Sequence, residues 1–276
     1  MIDKKKLIRG LSFAAYFVAV FSLFLLLLFP FDRVKTKLES EVRLRTAYEL
    51  SIARISPRFF NTFVLSDVVV SDKSNKVLFE STSVRSTVSL FGLLRKILVL
   101  DLKAKAYNGE ILVRTQQGPG KNFLLIDAND LDIGSYSLFK NLGLKLTGKL
   151  GGNIEMNNDA GKGKLLLKGL TSRELKIQGF PIPDLDFDQC WLEADIKGDR
   201  LTIRKMELNG KELTIKCMGD IVLRERGSMN LTVRLKPSVR LAQEQAGILS
   251  LLKNKDADGF YQFSLGGTVS APMPRF

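Results

Sequence analysis

Between Arg9 and Asp32 the chain carries no charged residue, and from Leu11 to Phe29 it is mostly Leu, Phe, Val and Ala. A bilayer's hydrocarbon core is about 30 Å thick, and a helix rising about 1.5 Å per residue crosses it in about 20 residues. The run is long enough to span, and its hydroxyls (Ser12, Tyr16, Ser22) can bond back along a helix. A soluble helix would keep one polar face. Lys4, Lys5, Lys6 and Arg9 precede the run as in a signal peptide, but it ends Leu25-Leu26-Leu27-Leu28-Phe29-Pro30-Phe31 without a small-x-small cleavage site. The expectation is an uncleaved single-pass anchor over 11–31 that sets Leu11, Phe13, Phe17, Phe21, Phe24, Leu27 and Phe29 in lipid. Arg33, Lys35, Lys37, Arg43 and Arg45 follow closely, so local charge alone does not choose a side. A basic segment before the apolar run favours a cytoplasmic tail at 1–10 and export of the rest.

The exported part carries most of 42 Lys and Arg against 29 Asp and Glu, a formal excess of +13 for the whole chain. Tethered at a membrane, such a domain is drawn to anionic head groups. The cations are spread along the chain rather than clustered, which also fits one solvated face of a strand-rich fold. No motif or basic-aromatic run points to nucleic acid. There is no histidine, which removes Ser-His-Asp and Cys-His catalysis and the commonest zinc ligand. No pair of carboxylates has a defensible catalytic spacing. The expectation is a protein that is not an enzyme, with no catalytic residues, no cofactor and no metal.

Asp32 to Leu50 has helical spacing: Val34, Leu38 and Val42 recur every four residues, and Leu44, Ala47 and Tyr48 extend the stripe. This helix either caps the open end of a β domain or lies on the membrane surface, and the pattern fits both. Residues 32–60 read as amphipathic helix and linker, and 61–276 as a β-rich domain. After Pro57 the pattern alternates: Thr62–Val70, Val77–Phe79, Val84–Leu90, Ile97–Leu102 and Ile111–Val113, the last two joined by an Asn108-Gly109 turn, then Phe123–Ile126. From Leu131 to Phe139 the pattern weakens to a short helix or loop. Leu144, Leu146, Leu150, Ile154 and Met156 then share one parity, with Gly148, Gly151 and Gly152 suiting bulges or bends. Leu165–Leu167, Leu175 and Ile177 continue the sheet until Pro181 and Pro183. Leu192, Ala194, Ile196, Leu201 and Ile203 follow, then Met206 and Leu208 after a one-residue shift, and Asn209-Gly210 turns the chain. Ile215, Cys217, Leu231 and Val233 continue a meander of sequential antiparallel strands. Ser238 to Leu252 is an expected helix with the stripe Val239, Ala242, Ala246 and Leu249, covering the sheet's open face or edge. Tyr261, Phe263, Leu265 and Val269 make a last strand. If the apolar face is left open, its lining is Leu144, Leu146, Leu150, Ile154, Met156, Ile215, Leu231, Val233 and Phe263.

Two motifs tempt. Asp184-Leu185-Asp186-Phe187-Asp188 resembles the start of a calcium loop, but Gln189 and Asp195 stand where Gly and Glu belong, so a strand is expected. Gly118-Pro119-Gly120-Lys121-Asn122 hints at a phosphate loop, but Thr115 and Asn122 fill the required Gly and Ser/Thr places; a hairpin turn is expected. Cys190 and Cys217 fall on strands separated by a third, about 9.5 Å apart, beyond the roughly 7 Å reach of a disulfide, and should be buried free thiols. Trp191, the single Trp, reads as a lone aromatic on the sheet.

The anchor ending at Phe29-Pro30-Phe31-Asp32-Arg33, the run Val84–Val113 containing Ser89-Leu90-Phe91-Gly92-Leu93-Leu94, and the tail Asp258–Pro272 resemble the type II secretion system protein N family. The middle stretch is also similar to the AsmA-like group. The resemblance implies a bacterial inner-membrane protein with a periplasmic domain built as a curved antiparallel sheet (an AsmA-like groove) with one or two covering helices. It implies an accessory role by protein-protein contact with other components of a type II protein secretion system. The AsmA-like likeness implies the alternative of a lipid-binding or lipid-transfer module that holds acyl chains on the concave face.

Overall fold

In the computed structural model the described residues are 30–59, 61–137, 139, 145–174, 176–177, 180–181, 183–224, 227–250, 252, 255–268 and 271–275, with 12, 13, 16, 17 and 20 within the N-terminal run. The order is α1 (Phe31–Arg45), β1 (Tyr48–Phe59), β2 (Thr62–Asp72), β3 (Val77–Val88), α2 (Leu90–Leu94), β4 (Leu98–Ala106), β5 (Gly109–Gly118), β6 (Lys121–Asp132) and a 3-10 turn (Ile133–Ser135). Next come β7 (Lys145–Asn157), β8 (Ala160–Arg173), the short pair β9 (Lys176–Ile177) and β10 (Phe180–Pro181), β11 (Leu185–Lys197), β12 (Arg200–Gly210), β13 (Leu213–Val222) and β14 (Met229–Pro237). Helices α3 (Val239–Glu244) and α4 (Ala246–Leu249) precede β15 (Tyr261–Thr268) and β16 (Ala271–Arg275).

Fourteen strands form one open antiparallel sheet in chain order, β1 to β8 and then β11 to β16; β9 and β10 pair only with each other. Every connection within the large sheet joins neighbours, as the expected meander requires. Most are tight: Ala106 pairs with Gly109, Gly118 with Lys121, Asn157 with Ala160 and Lys197 with Arg200. The Gly118–Lys121 stretch is thus a two-residue hairpin turn. Leu185 and Phe187 are buried on β11 while Asp184, Asp186 and Asp188 are exposed, as a strand dictates. The parity shift before Met206 is a real bulge, with the register slipping between Ile203 and Met206.

Several expectations shift. The helix ends at Arg45, not Leu50. Thr46 turns extended, its Oγ1 donating to the Val42 carbonyl (2.7 Å) and accepting from the Tyr48 N–H (3.1 Å). Residues 48–59, expected to be helix end and linker, are strand β1, and Ile52 on it is 1% exposed. Pro57 lies inside that strand, which an edge position tolerates because no neighbour needs its missing donor. The two Asn-Gly turns are displaced. Tyr107 (φ 50°) and Asn108 (φ 58°) are the turn residues, and Gly109 opens β5. Gly109 is glycine for space: a Cβ would lie 2.4 Å from the Asn129 carbonyl oxygen. Gly210 likewise closes β12, where a Cβ would meet the Asp186 carbonyl oxygen at 2.2 Å. The helix expected over 238–252 breaks at Gln245 (φ −111°, ψ 24°). In this stretch Leu241 and Leu252 are buried, while Val239 is 79% exposed.

α1 runs back along β1 and occupies the sheet's first edge. Glu39 Oε1 accepts the Ile52 N–H at 2.9 Å, and Lys35 Nζ donates to the Ala53 carbonyl at 3.4 Å. Both are backbone groups that a further strand would otherwise take.

Among the described residues no helix is long and apolar enough to cross a membrane. Of the expected anchor residues, Phe13 and Phe17 are exposed, and Leu11, Phe21, Phe24, Leu27 and Phe29 lie outside the described residues.

Candidate functional site

Antiparallel register places directly paired residues on the same face of a sheet. Following the pairs across the molecule traces one row through thirteen strands: Ile55, Leu65, Val84, Ala104, Ile111, Ala128, Gly152, Leu165, Leu192, Met206, Cys217, Val233 and Phe263. No member is polar. A second row beside it runs Leu102, Val113, Ile126, Ile154, Gly163, Ala194, Ile203, Gly219, Leu231 and Leu265. A third runs Leu131, Leu150, Leu167, Cys190, Leu208, Ile215, Leu235 and Tyr261. The face is apolar from β1 to β15 and several strand pairs deep.

All described members of the expected lining lie on this face. Leu146, Leu150, Ile154, Met156, Ile215, Leu231, Val233 and Phe263 belong to it, and Leu144 lies outside the described residues. Most members are half-buried, and full burial gathers in three clusters. One is Ile52, Val68, Val84 and Ala104; the second is Leu185, Phe187, Cys190 and Leu241; the third is Ile203, Cys217 and Leu231. Leu241 is the contribution of α3, held by its cap: Ser238 Oγ accepts the Leu241 N–H at 3.2 Å and donates to Glu212 Oε2 at 2.5 Å. That helix covers the β8–β13 region at one end of the face. In the same region Ser172 Oγ is buried with no hydrogen-bond partner among the described residues, opposite Leu146 and Leu185.

The other face is charged and cross-linked between strands. Arg114–Asp101 (2.6 Å), Lys103–Glu110 (2.8 Å), Arg204–Asp195 (2.6 Å) and Lys164–Glu193 (3.4 Å) pair across neighbouring strands. Glu207 sits between Lys205 and Lys216, each at 3.3 Å. Partial burial pushes its carboxyl up, but the two ammonium groups outweigh this and hold it below the ordinary value. Many of the chain's cations therefore belong to a solvated face. Phe260 is buried on this side, its ring 4.8 Å from the Arg234 guanidinium and 5.4 Å from Lys216 Nζ. The β14–β15 connection thus straddles the sheet end, touching one face with Leu241 and the other with Phe260. Trp191 also projects to the charged side, 43% exposed, beside Leu166 and Glu207.

Cys190 and Cys217 are free and buried on the apolar face, with β12 between their strands. Burial pushes the Cys190 thiol up to about 11 and raises Cys217 as well. Neither is poised as a nucleophile. Among the described residues no three His, Cys, Asp or Glu side chains gather as metal ligands. What this arrangement offers chemically is a large hydrocarbon-compatible surface backed by a charged one.

Sequence reasoning missed α2. Its residues read as the end of a strand running to Leu90, whereas β3 stops at Val88 and Ser89 caps a short helix through a 3.2 Å bond from the Gly92 N–H. Leu90, Phe91, Leu93 and Leu94 are 53%, 63%, 48% and 83% exposed. No periodicity signal distinguishes such a presented apolar loop from a buried one. Comparison of this chain with family models, with curated proteins and with solved structures finds no match.

Proposed function

We propose that this protein is a non-enzymatic, lipid-binding module, tethered to a membrane by the apolar run 11–29 and holding acyl chains on the apolar face of its sheet. The observation that carries the reading is the unbroken apolar row across thirteen strands of a single layer, which among the described residues is covered by Leu241 of α3 at one end and by the β6–β7 connection at another, where Ile133 is buried and the Tyr136 hydroxyl donates to the Leu78 carbonyl at 2.8 Å. A sheet with one apolar face must bury it. Among the described residues no second layer covers most of this face, so curling of the sheet and an apolar ligand are the available means. Gly152 (φ 150°) and Gly219 (φ 140°) favour the curl, because they take backbone angles that side chains forbid, within strands of the apolar face. In this reading residues 1–10 are cytoplasmic and 61–276, with β1, lie on the periplasmic side of a bacterial inner membrane.

The test is photo-crosslinking in membranes, with a photoreactive amino acid at Leu192 on the apolar face or at Glu193 on the charged face. Lipid adducts from Leu192 and not from Glu193 are expected. Equal adducts from both, or none from Leu192, overturn the proposal.

A second reading follows the resemblance to the type II secretion family: an accessory subunit working by protein contact. The exposed Trp191 on the charged face favours it, since exposed aromatics of this kind anchor interfaces. Recovery of other secretion components with the intact complex, lost on Trp191→Ala, is the expected result. Undiminished recovery refutes this contact, and consistent absence of such components refutes the reading.

A further inference from the structure

The short helix α2 lies at the sheet end where the chain enters from residues 1–29. α1 runs antiparallel to β1, so its first residue, Phe31, stands at the β1–β2 hairpin end, 6.2 Å from the Phe63 ring. α2 joins β3 to β4 at that same end, and β2 and β4 are two strand spacings apart, about 9.5 Å. The geometry of α2 presents its side chains outward. Gly92 is the buried residue and is pressed onto the sheet, where a Cβ would lie 2.7 Å from the Ile97 carbonyl oxygen. Leu90, Phe91, Leu93 and Leu94 are left to solvent. Four contiguous apolar side chains so displayed are unusual for a surface that faces only water.

The charge around them selects the occupant. Arg95 and Lys96 follow the helix directly, with the Arg95 guanidinium 4.3 Å over the Phe91 ring. Arg58 near the end of β1 and Lys121 at the start of β6 stand at the same end of the sheet. An apolar tip collared by cations suits the boundary between acyl chains and anionic head groups. The entry of the chain from its apolar N-terminal run at this end puts a bilayer within reach.

We propose that α2 is a second membrane contact, dipping into the interfacial layer of an anionic bilayer beside the tether. It would orient the sheet with its β-hairpin end against the lipid. This rests on the tethered reading above, and the following experiment separates the two. The full chain, with Trp191→Phe to remove its one native Trp and Phe91→Trp to place a probe in α2, is reconstituted into phosphatidylcholine–phosphatidylglycerol vesicles with brominated acyl chains. Flotation with the vesicles, a blue-shifted emission and at least twofold quenching against unbrominated lipid are expected. Leu94→Trp, at the most exposed position of α2, gives the same readout should Phe91→Trp fold poorly. Flotation without quenching in either variant overturns the α2 contact and leaves the tether standing. Failure of the chain to float overturns both.

Discussion

Alkylation of the two thiols tests the register and the assignment of faces together. Cys190 is 9% and Cys217 7% exposed, both on the apolar face. Their strands are separated by β12, about 9.5 Å across two spacings, so no disulfide can form without rearranging the sheet. Only the thiolate attacks an alkylating agent. At pH 8 a thiol at the ordinary value of 9.0 is about one-tenth ionised, and one at about 11 about one-thousandth. From ionisation alone, Cys190 in the native protein should react about ninetyfold more slowly than in the denatured protein. Steric closure slows it further. Cys217 should be slowed in the same direction. The assay is iodoacetamide labelling followed by peptide mass spectrometry, native against denatured, without reductant. A native Cys190 rate within about threefold of the denatured rate refutes its placement on a buried face. Fewer than two free thiols in the denatured, unreduced protein refutes the strand order.

Gly152→Ala should cost at least about 2 kcal/mol, because it combines a strained φ with a Cβ 2.2 Å from the Lys164 carbonyl oxygen. Urea unfolding checks this against Gly247→Ala, where nothing lies within 4 Å. The depressed Glu207 carboxyl lends stability that is complete above its ordinary value of 4.5 and is lost as pH falls through that region. Acid unfolding of Glu207→Gln should show a shallower loss there than the parent protein. On the last edge, Pro272 and Pro274 cannot donate to β15, so the ladder donors of β16 are the alternate residues, and the proline positions face outward, where an added strand would seek donors. Pro272→Ala with Pro274→Ala should raise concentration-dependent self-association, read by sedimentation; unchanged monomer content refutes the edge-blocking role.

Period-two alternation made the middle of the molecule readable, because a half-wet sheet writes its two faces as parity. The Ile203-to-Met206 slip was visible because a bulge must break that parity once, and the cysteine separation followed from strand order alone. β1 was hidden because Leu44, Ala47 and Tyr48 prolong the helical stripe of Val34, Leu38 and Val42 into the strand. Pro57 then looked like a boundary rather than a residue of an edge strand. The Asn-Gly pairs mislead because local sequence shows only glycine's backbone freedom. At Gly109 and Gly210 what decides is a neighbouring carbonyl, which belongs to a strand far along the chain and leaves no trace in local sequence. Val239 and Leu241 exchanged roles for a similar reason. The stripe assumed an unbroken helix, and the break at Gln245 lets the Ser238 cap and the cluster around Phe187 choose which residue turns inward.

Residue size across the apolar face bears on how it is covered. Ala104, Ala128, Gly152, Gly163, Ala194 and Gly219 are scattered among larger residues such as Ile111, Leu165 and Ile203 in its two central rows. In a flat sheet covered by a second layer, these positions would leave holes that the covering side chains must fill. In a sheet curled toward this face, the inner surface is shorter than the outer, and small residues are what the inside of the bend can hold. Buried Ala104 and Ala194 agree with that arrangement. Charge on the opposite face agrees too, since long Lys and Glu side chains have the greater arc on which to pair. Small residues interspersed among Leu, Ile and Met along the two central rows leave gaps that a slender apolar chain can fill. A covering helix would need the wider grooves that larger, more evenly spaced residues provide. This geometry is why the lipid reading stands ahead of the protein-contact reading for the apolar face, and why the latter is better sought on the charged side around Trp191.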